Sequence, residues 1–264
     1  MTKTVLIRGV GDVGSAVAHV LYRAGFAVAI NDGPCPTTSR RGMAFTDAVF
    51  DGSATLEDVM AQRIDSLDDL EAAVLSREFI PVTIVPIEPV VAMGWAVLVD
   101  ARMRKRALPE DQRGLVELTI GLGPNFVAGG NVDVAIETHW EGLGQVIRTG
   151  PTRPLEGEPR SIDGVGRQRF VYAPASGSFR TTAKLGDVVT AGEVVSHVDA
   201  VPLAAPIDGI VLAVTRDGVA VERGTKVLEI DPRGNPSAAF KIGERPRRLG
   251  EAVLSVIVGA PVRS

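Results

Sequence analysis

Cysteine is almost missing from this 264-residue chain: Cys35 stands alone, so no intramolecular disulfide can form, and a reducing compartment, the cytoplasm, is the expected location. Histidine is scarce as well. His19, His139 and His197 are isolated from one another and from Cys35, so no metal-ligand spacing appears. Neither sign of charge dominates, with 28 basic against 32 acidic residues and a pI near 5.5. Nucleic acid and anionic membrane surfaces are therefore not expected partners. No window approaches the roughly 18 uninterrupted apolar residues of a membrane-spanning helix. Met1-Thr2-Lys3 runs directly into Val5-Leu6-Ile7, so no signal peptide is expected and the chain reads as soluble.

Familiar catalytic signatures are lacking too. Tyr22 and Tyr172 have no lysine four residues on, which removes the tyrosine-lysine pair of short-chain dehydrogenases. There is no Gly-x-Ser-x-Gly elbow and no Walker lysine. These absences point towards binding rather than turnover.

What is present is ordinary globular material, 45% apolar and 23% charged, in a length that suggests about two domains. Thr4 to Ile7 reads as a strand and is followed by the turn Arg8-Gly9-Val10-Gly11-Asp12-Val13-Gly14. Ala16, Val17, Val20 and Leu21 then recur at helical spacing up to Gly25, and Phe26 to Ile30 forms a second strand closing at Asn31-Asp32. The unit is βαβ, with an expected right-handed crossover and parallel pairing. Ser66 opens a further helix, and Ile80–Val85, Ala96–Asp100 and Leu115–Ile120 read as strands.

Beyond Gly166 a shift of 32 residues lays Ala173-Pro174 on Ala205-Pro206 and Gly177 on Gly209. The same shift matches Gly186 with Gly218, Val189 with Val221, Gly192 with Gly224, Val195 with Val227 and Asp199 with Asp231. Two such halves can bury their apolar faces only against each other, as in biotinyl and lipoyl domains, which the stretch resembles. The link between the halves, Val198 to Leu203, lacks the lysine those domains modify, because Lys184 and Lys226 fall elsewhere. Covalent carriage of a cofactor is not expected.

The expected fold class is therefore α/β, with a Rossmann-like doubly wound parallel sheet over residues 1–125. A Gly/Pro-rich connection with short strands follows over 126–166, then an all-β biotinyl/lipoyl-like barrel-sandwich domain over 167–235, and a helical extension over 236–264. Gly9, Gly11 and Gly14 suit a dinucleotide: one for the tight turn, one for close approach of a pyrophosphate to helix-start amides, one for helix-on-strand packing. Asp32, at the end of the second strand, could accept hydrogen bonds from a ribose diol or simply be solvated. Arg40 and Arg41 could clamp an anion or be solvated, and Asp100, followed by Arg102, Arg104 and Lys105, lies at a strand end where such folds bind ligands.

In order along both domains the chain resembles the YqeB family, accessory proteins encoded with selenium-dependent molybdenum hydroxylase systems. The resemblance rests on Ile7 to Asp12, Arg40-Arg41 with Phe45, Ala48 to Gly52, Val99-Asp100-Ala101 with Lys105, and Ile120 to Phe126. It continues through Ile136-Glu137-Thr138, the Ala-Pro repeat, and Gly224-Thr225-Lys226 with Ile230 to Arg233. Where the family usually continues Glu-Thr with an Arg-Gly-His-like run, this chain reads His139 to Gly144. The resemblance implies a factor in the maturation of a molybdenum hydroxylase, with the hydroxylase apoprotein and other maturation factors as partners. The ligand-facing candidates it implies are Gly9, Gly11, Asp12, Gly14, Arg40, Arg41, Asp100, Lys105, Gly121, Gly123 and Asn125. The ligand would be molybdenum cofactor extended by a nucleotide, held non-covalently. The same glycine turn permits NAD(P) and an oxidoreductase, and a docking subunit with no ligand is the third alternative.

Overall fold

The computed structural model describes residues 3–104, 107–154 and 159–259. They divide into two compact units, one within Met1–Pro34, Ala44–Leu155 and Ile242–Ser264, the other within Cys35–Met43 and Glu156–Lys241.

The first unit is built on a nine-stranded mixed sheet. Along the chain run β1 (Thr4–Arg8), α1 (Asp12–Arg23), β2 (Ala27–Asn31), α2 (Ala48–Asp51), β3 (Ser53–Leu56), β4 (Val59–Arg63), α3 (Leu67–Ser76), β5 (Ile80–Thr83), α4 (Ile87–Val91), β6 (Val97–Asp100) and β7 (Leu118–Leu122). β8 (Val127–Ala128), β9 (Val134–Ile136), β10 (Val146–Ile147), β11 (Gly150–Pro151) and α5 (Glu244–Gly259) complete it. The sheet order is β10-β9-β7-β6-β1-β2-β5-β4-β3, and β8 pairs with β11 separately. Side chains alternate across the sheet, as strand geometry requires: Val5 and Ile7 of β1 face the cluster with Val13, Val17 and Leu21 of α1 and Leu249, Val253 and Ile257 of α5. Leu6 faces the opposite cluster, with Leu70 and Val74 of α3 and Val90 of α4. α1 and α5 approach closely because Gly250 has no side chain, and a Cβ there would lie 2.9 Å from Val20 Cγ2 and 3.1 Å from the Ala16 carbonyl oxygen.

The second unit holds β12 (Phe170–Tyr172), β13 (Gly177–Thr181), β14 (Val188–Val189), β15 (Val194–Val198), β16 (Val201–Ala204), β17 (Gly209–Val214), β18 (Ala220–Val221) and β19 (Lys226–Asp231). They form two four-stranded antiparallel sheets, β12-β19-β17-β14 and β16-β15-β13-β18. The repeat explains the pairing. β14 belongs to the first half but pairs with β17 of the second, and β18 of the second pairs with β13 of the first. Each half thus completes its sheet with a short strand from the other.

This architecture corrects the expected fold class. The first unit is not a doubly wound parallel sheet of Rossmann type, because β3 pairs antiparallel with β4 at one edge and β10 pairs antiparallel with β9 at the other. The β3–β4 hairpin carries little sequence signal because its strands are short and its turn is closed by Glu57 in left-handed backbone, φ 53°, with no glycine or asparagine to mark it. The second unit is a pair of antiparallel sheets, not clearly a biotinyl or lipoyl barrel. It also takes Cys35–Met43 from the stretch expected in the first domain, while the chain from Ile242 onward belongs to the first unit.

His19 occupies the buried side of α1, with Nε2 3.3 Å from Asp58 Oδ1 and 3.9 Å from Glu57 Oε2. Arg23 binds Asp58 at 2.8 Å and Arg247 binds Glu57 at 2.7 Å, so both acids are already paired with cations. Burial pushes the His19 imidazole below its usual pKa, against the pull of Asp58 and Glu57. Below about pH 6.5 the unfolded chain then binds the proton more readily than the folded one, and stability falls until the folded-state pKa is passed. Denaturant titrations between pH 7.5 and 5 should show wild type losing stability more steeply than His19→Gln. Parallel profiles would remove His19 as the cause.

Candidate functional site

The carboxyl ends of the parallel strands β1, β6, β7 and β9 lie side by side, with β1 paired to β6, β6 to β7 and β7 to β9. The loops that leave them carry most of the residues singled out from sequence.

The glycine turn after β1 explains two of its three glycines internally. Gly9 has φ 110°, and a Cβ there would sit 3.0 Å from the Ala101 carbonyl and from Arg102 Cα. Gly14, in the first turn of α1, would drive a Cβ to 1.9 Å from the Gly9 carbonyl oxygen. Gly11 is different. It is the N-cap of α1 with extended backbone, φ −67° and ψ −178°, open to any residue, and it gives the helix start no side-chain cap. Asp12 contributes an acid to the first turn, and its Oδ1 accepts a 3.1 Å hydrogen bond from the Val13 amide. Val10 is anchored from below: its carbonyl accepts from Ser15 Oγ and Thr46 Oγ1, each at 2.9 Å.

Asp32 is engaged by the turn itself. Oδ2 accepts from the Val10 amide and Oδ1 from the Gly33 amide, both at 2.7 Å. Burial raises the Asp32 pKa, and the nearby Asp100 carboxylate adds to the effect against the lowering influence of the two amides and Arg102.

Asp100 belongs to a charge network. Arg102 pairs with Asp100 through two guanidinium nitrogens, and Gln112 Nε2 donates to Asp100 Oδ2 at 2.8 Å. Glu110 accepts from Arg8 at 2.5 Å, Arg102 at 2.8 Å and Arg104 at 2.7 Å. Partial burial would raise the Glu110 pKa, but its own backbone amide and the three arginines hold it well below the usual carboxylate range. Arg8 and Glu110 went unread because nothing in a stretch 102 residues apart marks the two as partners. Lys105 lies outside the described residues.

Gly121, one residue before the end of β7, lies under the Phe126 ring, which leaves no room for a side chain: a Cβ would lie 2.2 Å from the ring. Gly123 has φ 112°, and a Cβ there would be 3.4 Å from Met103 Sδ and 3.9 Å from Thr138 Oγ1. Asn125 takes left-handed backbone, φ 73°, and its Nδ2 donates to the Ala107 carbonyl at 3.3 Å. Met103 is left-handed as well, φ 54°, so the loops after β6 and β7 both hold a non-glycine residue in a sparsely populated conformation.

Glu137, just past β9 and 3% exposed, is wholly satisfied by backbone. Oε1 accepts from the Thr138 and His139 amides and Oε2 from the Arg153 amide, all at 2.7 Å. This carboxylate clamp fixes the path of the chain at Thr138, a role its place in the Ile136-Glu137-Thr138 motif did not disclose.

Arg40 and Arg41 fall in the second unit and have partners there. Arg40 pairs bidentately with Glu229 at 3.0 and 3.1 Å, and Arg41 Nε donates to the Val214 carbonyl at 3.0 Å. The two arginines, read as an anion clamp or as solvated, thus take part in an ion pair and a backbone bond within this unit. No group of three or more His, Cys, Asp or Glu among the described residues is arranged to hold a metal ion. No helix among them is long and apolar enough to cross a membrane.

No protein-family model matches the chain. Among curated proteins, the uncharacterized protein YqeB of Escherichia coli (strain K12) is 38% identical over 259 residues, covering 96% of this chain and 47% of that protein. The chain thus spans about half the length of the curated relative it matches. Among solved structures, an aspartoacylase family protein from Mesorhizobium loti is 14% identical, covers 88% of this chain and 86% of that one, and has a TM-score of 0.28. The product-bound ectoine utilization protein EutE (DoeB) from Ruegeria pomeroyi gives the same identity and coverage with a TM-score of 0.26. Likenesses that low transfer neither fold nor activity to this chain. The 38% identity over nearly its whole length supports this chain as a member of the YqeB family.

Proposed function

We propose that this chain binds a pyrophosphate-bearing, dinucleotide-like ligand along the carboxyl ends of β1, β6, β7 and β9, and that it assists maturation of a molybdenum hydroxylase without catalysing a reaction itself. The observation that carries the binding reading is Gly11. Its backbone does not require glycine, yet it caps a twelve-residue helix without a side-chain cap, and the positive end of the helix dipole there favours an anion beside the start of α1, where Asp12 Oδ1 takes the Val13 amide. Molybdenum cofactor extended by a nucleotide carries such a pyrophosphate. Gly11 and the start of α1 would hold it as cargo, its redox chemistry belonging to the client hydroxylase. The maturation role extends the family resemblance and is tested separately.

Replacing Gly11 by valine puts a branched side chain between the amides and the pyrophosphate. Losing one or two hydrogen bonds to a charged group, roughly 1.5–3 kcal/mol each, should weaken binding at least about tenfold. Thermal unfolding should stay nearly unchanged, since the backbone there is ordinary. Calorimetry with NADH, NADPH and purified molybdenum cofactor reads the affinity, and equal affinity in wild type and Gly11→Val removes the turn from the mechanism. Mass spectrometry of what co-purifies identifies the ligand. A deletion strain should contain hydroxylase apoprotein that is inactive, and full hydroxylase activity in that strain would overturn the maturation role. Oxidation of reduced nicotinamide in a carbonyl-substrate screen would favour an oxidoreductase instead.

A further inference from the structure

Thr138 is a second polar anchor of this edge that neither the glycine pattern nor the charge network discloses. The residue is 6% exposed, and its hydroxyl, which solvent still reaches, has no hydrogen-bond partner among the described residues, whereas its amide donates to Glu137 and its carbonyl accepts from Arg245 Nε at 3.0 Å. A hydroxyl that no protein group satisfies and that solvent reaches can exchange its water for a ligand atom at little cost. The Glu137 clamp holds the residue in place, and Oγ1 lies 3.9 Å from the position a Gly123 Cβ would occupy, with Met103 Sδ 3.4 Å from that same position. Three loops therefore meet there: the ones after β6, β7 and β9. The glycine turn abuts the first of them through Ala101 and Arg102. From the end of β1 to the end of β9 is three strand spacings, about 14 Å, further than a pyrophosphate alone reaches.

We propose that Thr138 is a ligand-binding residue, its hydroxyl hydrogen-bonding the polar edge of a planar heterocycle seated against the Met103 thioether and the bare backbone of Gly123. The inference rests on the pyrophosphate reading of the glycine turn and assigns the other end of the same ligand. A thioether beside a glycine offers a soft, polarisable surface suited to a flat ring, and a hydroxyl can donate or accept at the ring edge. Thr138 thus reads the ring and Gly11 the phosphates.

The test uses the full chain with inorganic pyrophosphate, ADP and CDP as probes, in wild type, Thr138→Val, Thr138→Ser and Gly11→Val. Valine keeps the shape of threonine and removes the hydroxyl. Thr138→Val should bind at least one of the two nucleotides about fivefold more weakly, the equivalent of one neutral hydrogen bond, with pyrophosphate affinity unchanged. Thr138→Ser should restore most of the loss, and Gly11→Val should weaken all probes. If Thr138→Val binds both nucleotides like wild type while Gly11→Val does not, the role of Thr138 is overturned and the glycine-turn reading stands. If wild type binds no probe, or Gly11→Val binds as wild type does, both are overturned. A loss in Thr138→Val that serine fails to restore, or that extends to pyrophosphate, makes the residue structural and overturns the inference.

Discussion

Replacing Glu229 by alanine should destabilise the protein by about 3–5 kcal/mol, because it removes one carboxylate from beneath three cations. The Glu229 side chain is fully buried in β19, and Arg40, Arg169 and Lys226 reach it at 3.0, 3.3 and 2.9 Å. The guanidinium of Arg169 and the ammonium of Lys226 also lie 4.3 and 4.7 Å from the Phe170 ring centre, so the cluster ties β12 to β19 and to the 35–43 segment. Burial opposes ionisation, but Arg40, Lys226 and Arg169 together bring the Glu229 pKa down to about 2 from 4.5. A carboxylate whose folded-state pKa is depressed contributes stability that is complete above its unfolded pKa and lost as pH falls towards the folded one. For this shift the contribution at neutral pH is about 3 kcal/mol, disappearing between about pH 4.5 and 2. Glu229→Gln mimics the protonated acid, so its stability deficit in denaturant should shrink over that window. A deficit that stays constant from pH 6 to 3, or an alanine variant as stable as wild type at pH 7, would show that the cluster contributes nothing.

Gly14→Ala should be nearly as damaging, despite adding one carbon. That carbon would start 1.9 Å from the Gly9 carbonyl oxygen, a backbone atom inside the same turn, so either the helix or the turn must shift. Overpacking of this kind costs about 1–3 kcal/mol and more where the neighbour is rigid, and Gly9 is pinned by its own amide, which donates to Asn31 at 2.9 Å. Melting should fall by roughly 2–12 °C in a unit of this size. Because the displaced turn presents the amides, binding of any pyrophosphate probe should fall along with melting. Gly11→Val should move the affinity alone, and the contrast between the two variants separates packing from recognition. Gly14→Ala melting within a degree of wild type would mean that the turn relaxes freely.

Much of the local structure was legible. A β-branched run, a turn of three glycines and a helical apolar stripe predict β1 and α1, because each depends on residues within a few positions of one another. The repeat was legible for the same reason, since a shift of 32 residues carries β13, β14 and β15 onto β17, β18 and β19. The mixed sheet was not. Whether Ser53–Leu56 pairs antiparallel at an edge depends on which strand lies beside it, and the periodicity of a four-residue strand holds no such information.

By itself the sequence determined where the chain turns sharply, that a helix follows the glycine turn, and that the β-repeat carries no lysine for a covalent arm. These follow from backbone freedom and side-chain chemistry, which are properties of single residues. Tertiary structure alone decided that Arg40 would meet Glu229, 189 positions away, and that Glu110 would gather Arg8, Arg102 and Arg104. It also decided that Thr138, Met103 and Gly123 would converge at one edge. Charge pairs and unsatisfied hydroxyls acquire meaning only through distance and burial, and both are set by strand order, which links residues far apart in the chain.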